Sequence, residues 1–163
     1  MELRSVAALI EASRKMPIWE AILCSDLEED TPEQRAASLE KMQMLWHVMQ
    51  DSAAGYDGSQ RSLSGLSGGD GEKYTQMLSS GKMMCGTYLN DAIATALKVS
   101  ECNACMKRIV AAPTAGSCGV IPAVLIPYRK EYPDTPEEEM LHALYVTGGF
   151  GNIIAERASV SGA

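Results

Sequence analysis

The sequence predicts an all-α protein, a helical domain in which two glycine-rich loops separate the helices. Apolar residues recur at helical spacing along most of the chain, and strand-like alternation never lasts more than a few residues. Ten methionines beside a single phenylalanine are typical of helix-rich cores. The 163 residues, 46% of them hydrophobic, are enough for one domain with a real core.

The first three predicted helices occupy the N-terminal third of the chain. Helical spacing predicts the first over residues 3–13, and Pro17 opens a short second helix. The third helix has the strongest start signature. Thr31 is the expected cap, Pro32 fits the first turn and Gln34 completes a capping box.

Four further helices are predicted in the remainder of the chain. The last of them follows a second signature of cap, proline and acid, residues 134–138, and contains a glycine cluster, residues 148–151. These glycines either interrupt the helix or permit close packing. The other three helices are predicted over 72–79, 87–108 and 119–131.

The charge balance excludes several functional classes. A net charge of −7 and the absence of a basic stripe argue against nucleic-acid binding, which needs clustered lysine and arginine. No apolar run reaches the roughly 18 residues that a membrane span needs. The N-terminus shows no signal-peptide core, so we expect a cytoplasmic protein whose five cysteines are reduced.

The loop at residues 64–70 is the most informative local feature. Its successive glycines let backbone N–H groups converge, its serines add hydroxyls, and a helix begins directly after it. Such a loop suits a carboxylate or another anion. The pattern alone favours a flexible connector over a binding loop. Neither the dinucleotide fingerprint nor the Walker lysine pattern is present.

A second small-residue loop, residues 113–119, also carries hydroxyls and precedes a helix, but alone it is weak. Cys102 and Cys105 form a C-x-x-C pair within a helical pattern, which is at most half of a zinc site. Two small buried side chains are the favoured interpretation. His47 and His142 could each act as a base, although an ordinary structural role is favoured for both.

Taken in order, several segments resemble one known family, the iron–sulfur L-serine dehydratase α chain. Residues 61–70 resemble its SGLTGGD-type loop, and residues 112–122 resemble its APTAGSAGxxP segment. Residues 148–151, followed by 158–163, are similar to the approach to its cluster loop. Residues 3–7 also resemble the start of the family, so the resemblance spans nearly the whole chain.

The resemblance implies a lyase of serine catabolism that deaminates L-serine to pyruvate and ammonia without pyridoxal phosphate. In the family, three cysteines hold a [4Fe–4S] cluster whose open iron acts as a Lewis acid on the substrate hydroxyl while a base removes the α-proton. The cluster cysteines are expected beyond Ala163. The chain is therefore expected to be a truncated catalytic domain, residues 1–163, that lacks a cluster, a β chain or β domain, and activity of its own.

The resemblance also suggests which residues bind substrate, whereas the α-proton base stays unidentified. Asp70 is expected to be buried and to pair with the ammonium group. Ser161 and Gly162 are expected to lead into the cluster loop. The first loop is expected to bind the serine carboxylate or ammonium, and the second to form the opposite wall: Ser64, Gly65, Ser67, Gly68, Gly69 and Asp70, then Thr114, Ala115, Gly116 and Ser117.

Three alternatives remain open from the sequence. One is a related iron–sulfur lyase that acts on cysteine or another hydroxy amino acid, and another is a non-catalytic helical interaction module. The third is a zinc protein that uses Cys102 and Cys105. In addition, an exposed apolar face is expected to make the chain associate with copies of itself.

Overall fold

A computed structural model describes residues 3–81 and 85–158 of the chain. The all-α prediction is confirmed, since every regular element within these ranges is helical. None of these helices is long and apolar enough to cross a membrane. The α-helices are α1 (Val6–Ser13), α2 (Ile18–Asp26), α3 (Pro32–Ala54), α4 (Asp70–Ser79), α5 (Thr87–Ala104), α6 (Val120–Glu131) and α7 (Glu137–Ala155), with one 3₁₀ turn at Ala115–Ser117.

The chain divides into two compact units, and the division falls inside α3, between Trp46 and His47. The first unit contains α1, α2, the start of α3 and the whole of α7. It is built around a cluster of buried apolar side chains from three of these helices. The members of this cluster are Leu9, Ile22, Leu23, Tyr145 and Ile153.

Helix α3 begins as predicted, with one difference in its cap. The Thr31 hydroxyl accepts a hydrogen bond from the Gln34 N–H (3.2 Å), as a capping box requires. The Gln34 side chain, however, accepts from the Glu29 N–H (3.1 Å) rather than from the N–H of Thr31. At the second signature, α7 starts after Pro136 with no side-chain cap, so the predicted cap there is wrong.

The glycine cluster of α7 permits close packing and does not interrupt the helix, which runs on to Ala155. Gly149 is the member that packs. A Cβ atom built on it would lie 2.4 Å from Ile22 Cδ1, whereas Gly148 and Gly151 face open space. The absent side chain at Gly149 therefore lets α7 approach α2 within the first unit.

The second unit contains the end of α3 together with α4, α5 and α6, and α5 packs against both α4 and α6. Helix α5 ends at Ala104, four residues before the predicted end. The cause is local, because Met106 adopts a φ of 62° and a left-handed residue cannot continue a right-handed helix. The Lys107 N–H then returns to the Cys102 carbonyl (2.9 Å) and closes the turn.

Candidate functional site

The serine- and glycine-rich segment 62–67 is a closed turn stabilised by its own hydrogen bonds. The Ser62 N–H donates to the Ser67 carbonyl (2.9 Å), and the Ser67 N–H returns to the Ser62 hydroxyl (3.2 Å). Inside the turn, the Gly65 N–H donates to the Ser62 carbonyl (2.8 Å). These bonds contradict a flexible connector, which the pattern alone had favoured. We call residues 62–69 the glycine–serine loop.

Two glycines at the end of the glycine–serine loop are required by geometry. Gly68 has a φ of 124°, and a Cβ atom on it would lie 2.4 Å from the Gln60 carbonyl oxygen. Gly69 has a φ of 85°, and its Cβ would lie 2.7 Å from Arg61 Nη2. Both conformations belong to the region that glycine populates without penalty. The Arg61 guanidinium therefore lies against the backbone of the loop.

The N-terminus of α4 binds an anion, and that anion is the side chain of Glu101 on α5. One carboxylate oxygen accepts from the N–H groups of Gly69 (3.0 Å) and Gly71 (3.3 Å), and the other accepts from Asp70 (2.7 Å). Glu101 is only 7% exposed. Sequence reasoning predicted an anion site at this helix start but missed its occupant. The available signal was a carboxylate set between the apolar residues Val99 and Cys102 in α5, since an acidic side chain is seldom buried unless it is paired.

Tyr56 completes the surroundings of the Glu101 carboxylate. Its hydroxyl donates to Glu101 and accepts from the Glu72 N–H (3.1 Å). Burial, followed by the hydrogen bond to Glu101, raises the pKa of Tyr56 to about 12. The phenol therefore stays protonated near neutral pH and remains a donor to the carboxylate.

The expectation that Asp70 is buried is wrong. Its side chain is 64% exposed, and its carboxylate pairs with Lys73 Nζ at 2.8 Å. The hydrogen bond from Lys73 lowers the pKa of Asp70. An acidic residue in the first turn of a helix is favourable at the surface, because it faces the positive end of the dipole. The buried carboxylate of this region is Glu101.

The second loop uses its hydroxyls within itself. The Thr114 N–H donates to the Ser117 hydroxyl (3.2 Å), and the two hydroxyl oxygens lie 3.1 Å apart. Ser117 Oγ also donates to the Ala112 carbonyl (2.9 Å). From α5, Asn103 Nδ2 donates to the Ala115 carbonyl (3.1 Å), which ties the loop to that helix.

Both loops pack against α5, but on different sides of it. A Cβ atom on Gly71 would lie 3.0 Å from Lys98 Cγ, and Lys98 shares a helix face with Glu101. The second loop meets Asn103, and a Cβ on Gly119 would lie 2.8 Å from the Ala96 carbonyl. At about 100° per residue these two sets of contacts lie roughly opposite each other around α5. No hydrogen bond joins the two loops in the ranges that the structure describes.

The remaining candidates are dispersed. Within residues 3–81 and 85–158, no group of three or more His, Cys, Asp and Glu side chains could hold a metal ion. Cys102 is buried and donates to the Ser52 carbonyl (3.3 Å), whereas Cys105 is half-buried. His142 stacks on Trp19, with ring centroids 3.8 Å apart. The expected approach to the cluster loop, residues 161–162, lies outside the described residues.

Comparison with known proteins identifies the family. Residues 13–163 match the family model described as "Serine dehydratase alpha chain". The probable L-serine dehydratase, alpha chain, of Bacillus subtilis is 34% identical over 162 residues, which is 98% of this chain and 53% of that protein. The L-serine dehydratase, alpha chain, of Peptoniphilus asaccharolyticus is 39% identical over 84 residues, 52% of this chain and 28% of that protein.

L-serine dehydratase TdcG of Escherichia coli is 44% identical over 68 residues, 42% of this chain and 15% of that protein. No solved structure matches the chain. The chain spans about half the length of the Bacillus relative and smaller shares of the other two. Because the family model covers nearly all of the sequence, the chain belongs to the serine dehydratase alpha chain family.

Proposed function

We propose that this chain is the N-terminal part of the catalytic α chain of an L-serine dehydratase, the lyase that converts L-serine to pyruvate and ammonia. The observation that carries the proposal is the family match over residues 13–163, together with a relative of that name aligned along 98% of the chain. The folded glycine–serine loop supports it, since a prearranged loop loses less conformational entropy when it binds a small molecule.

The proposed substrate element is the tip of the glycine–serine loop. The amide N–H groups of Ser64 and Gly68 and the hydroxyl of Ser67 donate to no described residue. Arg61 lies beside the loop with Nη1 bound to the Gly58 and Gln60 carbonyls (2.9 and 2.8 Å). Among the described residues, its Nη2 has no such acceptor. Backbone N–H groups without an acceptor, beside a guanidinium, are suited to the carboxylate of an amino acid.

The second loop, Thr114–Ser117, is proposed to contribute indirectly. Its hydroxyls bond each other and the Ala112 carbonyl, so they are not free to bind substrate without rearranging. Its contacts are with the other side of α5. The two loops alone therefore do not enclose a serine molecule, and we propose that residues outside 1–163 complete the pocket.

The cluster chemistry is proposed from the family resemblance. The described cysteines do not fit a [4Fe–4S] cluster, because no three of them lie together and burial raises the pKa of Cys102 and Cys118. We propose that the cluster cysteines lie beyond Ala163, that the fragment alone is inactive and that no pyridoxal phosphate takes part.

The proposal extends to the partners. A β chain or β domain is the expected partner of an α chain, and a cytoplasmic location stays a prediction.

Self-association through an apolar face is proposed as well. The clearest such face is the outer side of α6, where every fourth residue is apolar and exposed. We call it the α6 stripe, and its members are Val120, Val124, Tyr128 and Tyr132.

The test is turnover by the natural protein that carries this sequence, prepared without oxygen, with its partner chain where one exists. L-Serine should give pyruvate faster than L-threonine gives 2-oxobutyrate or L-cysteine gives pyruvate and hydrogen sulfide. Gly68→Ala should abolish turnover, because its Cβ would clash with the Gln60 carbonyl, while Gly148→Ala, which faces open space, should not. An intact cluster with no serine turnover would contradict the proposal, and faster turnover of cysteine would favour the related lyase.

A further inference from the structure

The start of α4 is already neutralised by the chain itself. Glu101 accepts from all three N–H groups of Gly69, Asp70 and Gly71 at 2.7–3.3 Å. A carboxylate at this position interacts favourably with the positive end of the helix. The same N–H groups cannot also receive the carboxylate of a substrate. An incoming anion needs other donors, and the unused N–H groups of Ser64 and Gly68 in the glycine–serine loop are the nearest along the chain.

Glu101 is itself held in place. Its backbone belongs to α5, and its carboxylate accepts a hydrogen bond from the Tyr56 hydroxyl. That hydroxyl in turn accepts a hydrogen bond from the Glu72 N–H. A Cβ atom on Gly71 would lie 3.1 Å from the Tyr56 hydroxyl oxygen, so α4 passes directly over this phenol. The network leaves the carboxylate little freedom, and through it α5 fixes the position of Gly69.

We propose that Glu101 is a positioning residue that holds the glycine–serine loop in the conformation that binds substrate, an inference that rests on the proposed function. The loop has two anchors: the hydrogen-bonded pair of Ser62 and Ser67, and Gly69 on the Glu101 carboxylate. The unused N–H of Gly68 lies between these anchors, and that of Ser64 lies inside the turn that the Ser62–Ser67 pair closes. Loss of the carboxylate leaves three N–H groups without their acceptor. The second anchor then opens, and the Gly68 N–H loses its fixed position relative to the turn.

The first experiment compares Glu101→Gln with Glu131→Gln in the active enzyme. Glu131 is exposed on α6 and serves as the matched control. Because loss of one hydrogen bond to a charged group weakens binding by about tenfold or more, the KM for L-serine should rise at least about tenfold in Glu101→Gln. Since binding rather than chemistry is affected, kcat should change little. An unchanged KM, or a fall in kcat at constant KM, would overturn the proposal.

The second experiment replaces the missing carboxylate from solution. In Glu101→Ala, sodium acetate should lower the raised KM, and acetamide, which has nearly the same shape but no charge, should not. Equal effects of the two compounds, or no effect of either, would count against an anchoring anion. If Glu101→Ala does not fold, Glu101→Asp takes its place and should bind L-serine more tightly than Glu101→Gln, because it retains the charge.

Amide hydrogen exchange separates this inference from the proposed function. In Glu101→Ala, acetate should slow exchange at Gly69, Asp70 and Gly71, and this measurement needs no turnover. A wild-type enzyme that does not act on L-serine would defeat the proposed function alone. Exchange that is as fast with acetate as without it would defeat the positioning role, whatever the substrate is.

Discussion

Gly149 offers the sharpest test of the helical packing, because α7 contains neighbouring glycines in different surroundings. A Cβ atom on Gly149 would lie 2.4 Å from Ile22 Cδ1 and 2.7 Å from Ile22 Cγ1. Ile22 is 2% exposed and packed in the core of the first unit, so it has little room to move. At Gly148 and Gly151 the same added methyl group meets nothing within 4 Å.

These surroundings predict opposite signs for one substitution. Replacing glycine by alanine inside a helix is worth up to about 1 kcal/mol of stability, so Gly148→Ala and Gly151→Ala should each stabilise the fold by about 0.5–1 kcal/mol. Overpacking a core costs about 1–3 kcal/mol. At Gly149 that cost exceeds the helical gain, and Gly149→Ala should lower the free energy of unfolding by about 1–2 kcal/mol.

Urea unfolding followed by circular dichroism measures the difference. With a slope of about 2 kcal/mol per M, Gly149→Ala should lower the midpoint by about 0.5–1 M, whereas Gly148→Ala should raise it. The double variant Ile22→Val/Gly149→Ala removes the closest atom and should recover part of the loss. A Gly149→Ala midpoint equal to that of Gly148→Ala would refute the close approach of α7 to α2.

Three further outcomes follow. The hydrogen bond from Arg35 lowers the pKa of Asp30 below its ordinary 3.8, which means that ionised Asp30 stabilises the folded state. This stabilisation is complete above pH 3.8 and is lost as the pH falls through the pKa of Asp30 in the folded state. Arg35→Gln should therefore flatten the acid limb of a stability-against-pH curve, and an unchanged limb would count against it. Cys102 and Cys118 are buried, and burial raises the pKa values of their thiols. Both should therefore resist iodoacetamide in the folded protein and react in urea, which intact-protein mass spectrometry measures. Rapid labelling of the folded protein at these two cysteines would contradict their burial. Val124→Glu should reduce self-association through the α6 stripe in light scattering, and an unchanged particle size would mean that copies associate elsewhere, or not at all.

Local rules predicted most of the helical fold. The Thr31 cap and the apolar spacing placed α3 correctly, because both signals act within a few residues of the helix start. The end of α5 was missed, because a left-handed Met106 has no sequence signal comparable to that of glycine. Whether Gly149 breaks or packs α7 could not be decided either, since the answer depends on Ile22, far away in the chain.

The candidate site also combines local features, which a sequence pattern can indicate, with a contact from a distant part of the chain, which it cannot. Small residues before a helix are compatible with an anion-binding turn, but the pattern alone favoured a connector, and the structure shows the Glu101 carboxylate at the start of α4. The occupant comes from α5, about 30 residues further along the chain, and no local pattern links it to the loop. The family resemblance led us to expect a buried Asp70, but the first turn of a helix can leave a carboxylate in solvent.

The most direct test is a titration with L-serine, followed by amide chemical shifts, of the ¹⁵N-labelled natural protein that carries this sequence, prepared without its proposed cluster so that L-serine is not consumed. The account predicts shifts at Ser64 and Gly68, on the tip of the glycine–serine loop. It predicts almost none at Gly69, Asp70 and Gly71, which already donate to Glu101. Large shifts at these last three amides, or none on the loop at saturating L-serine, would contradict it.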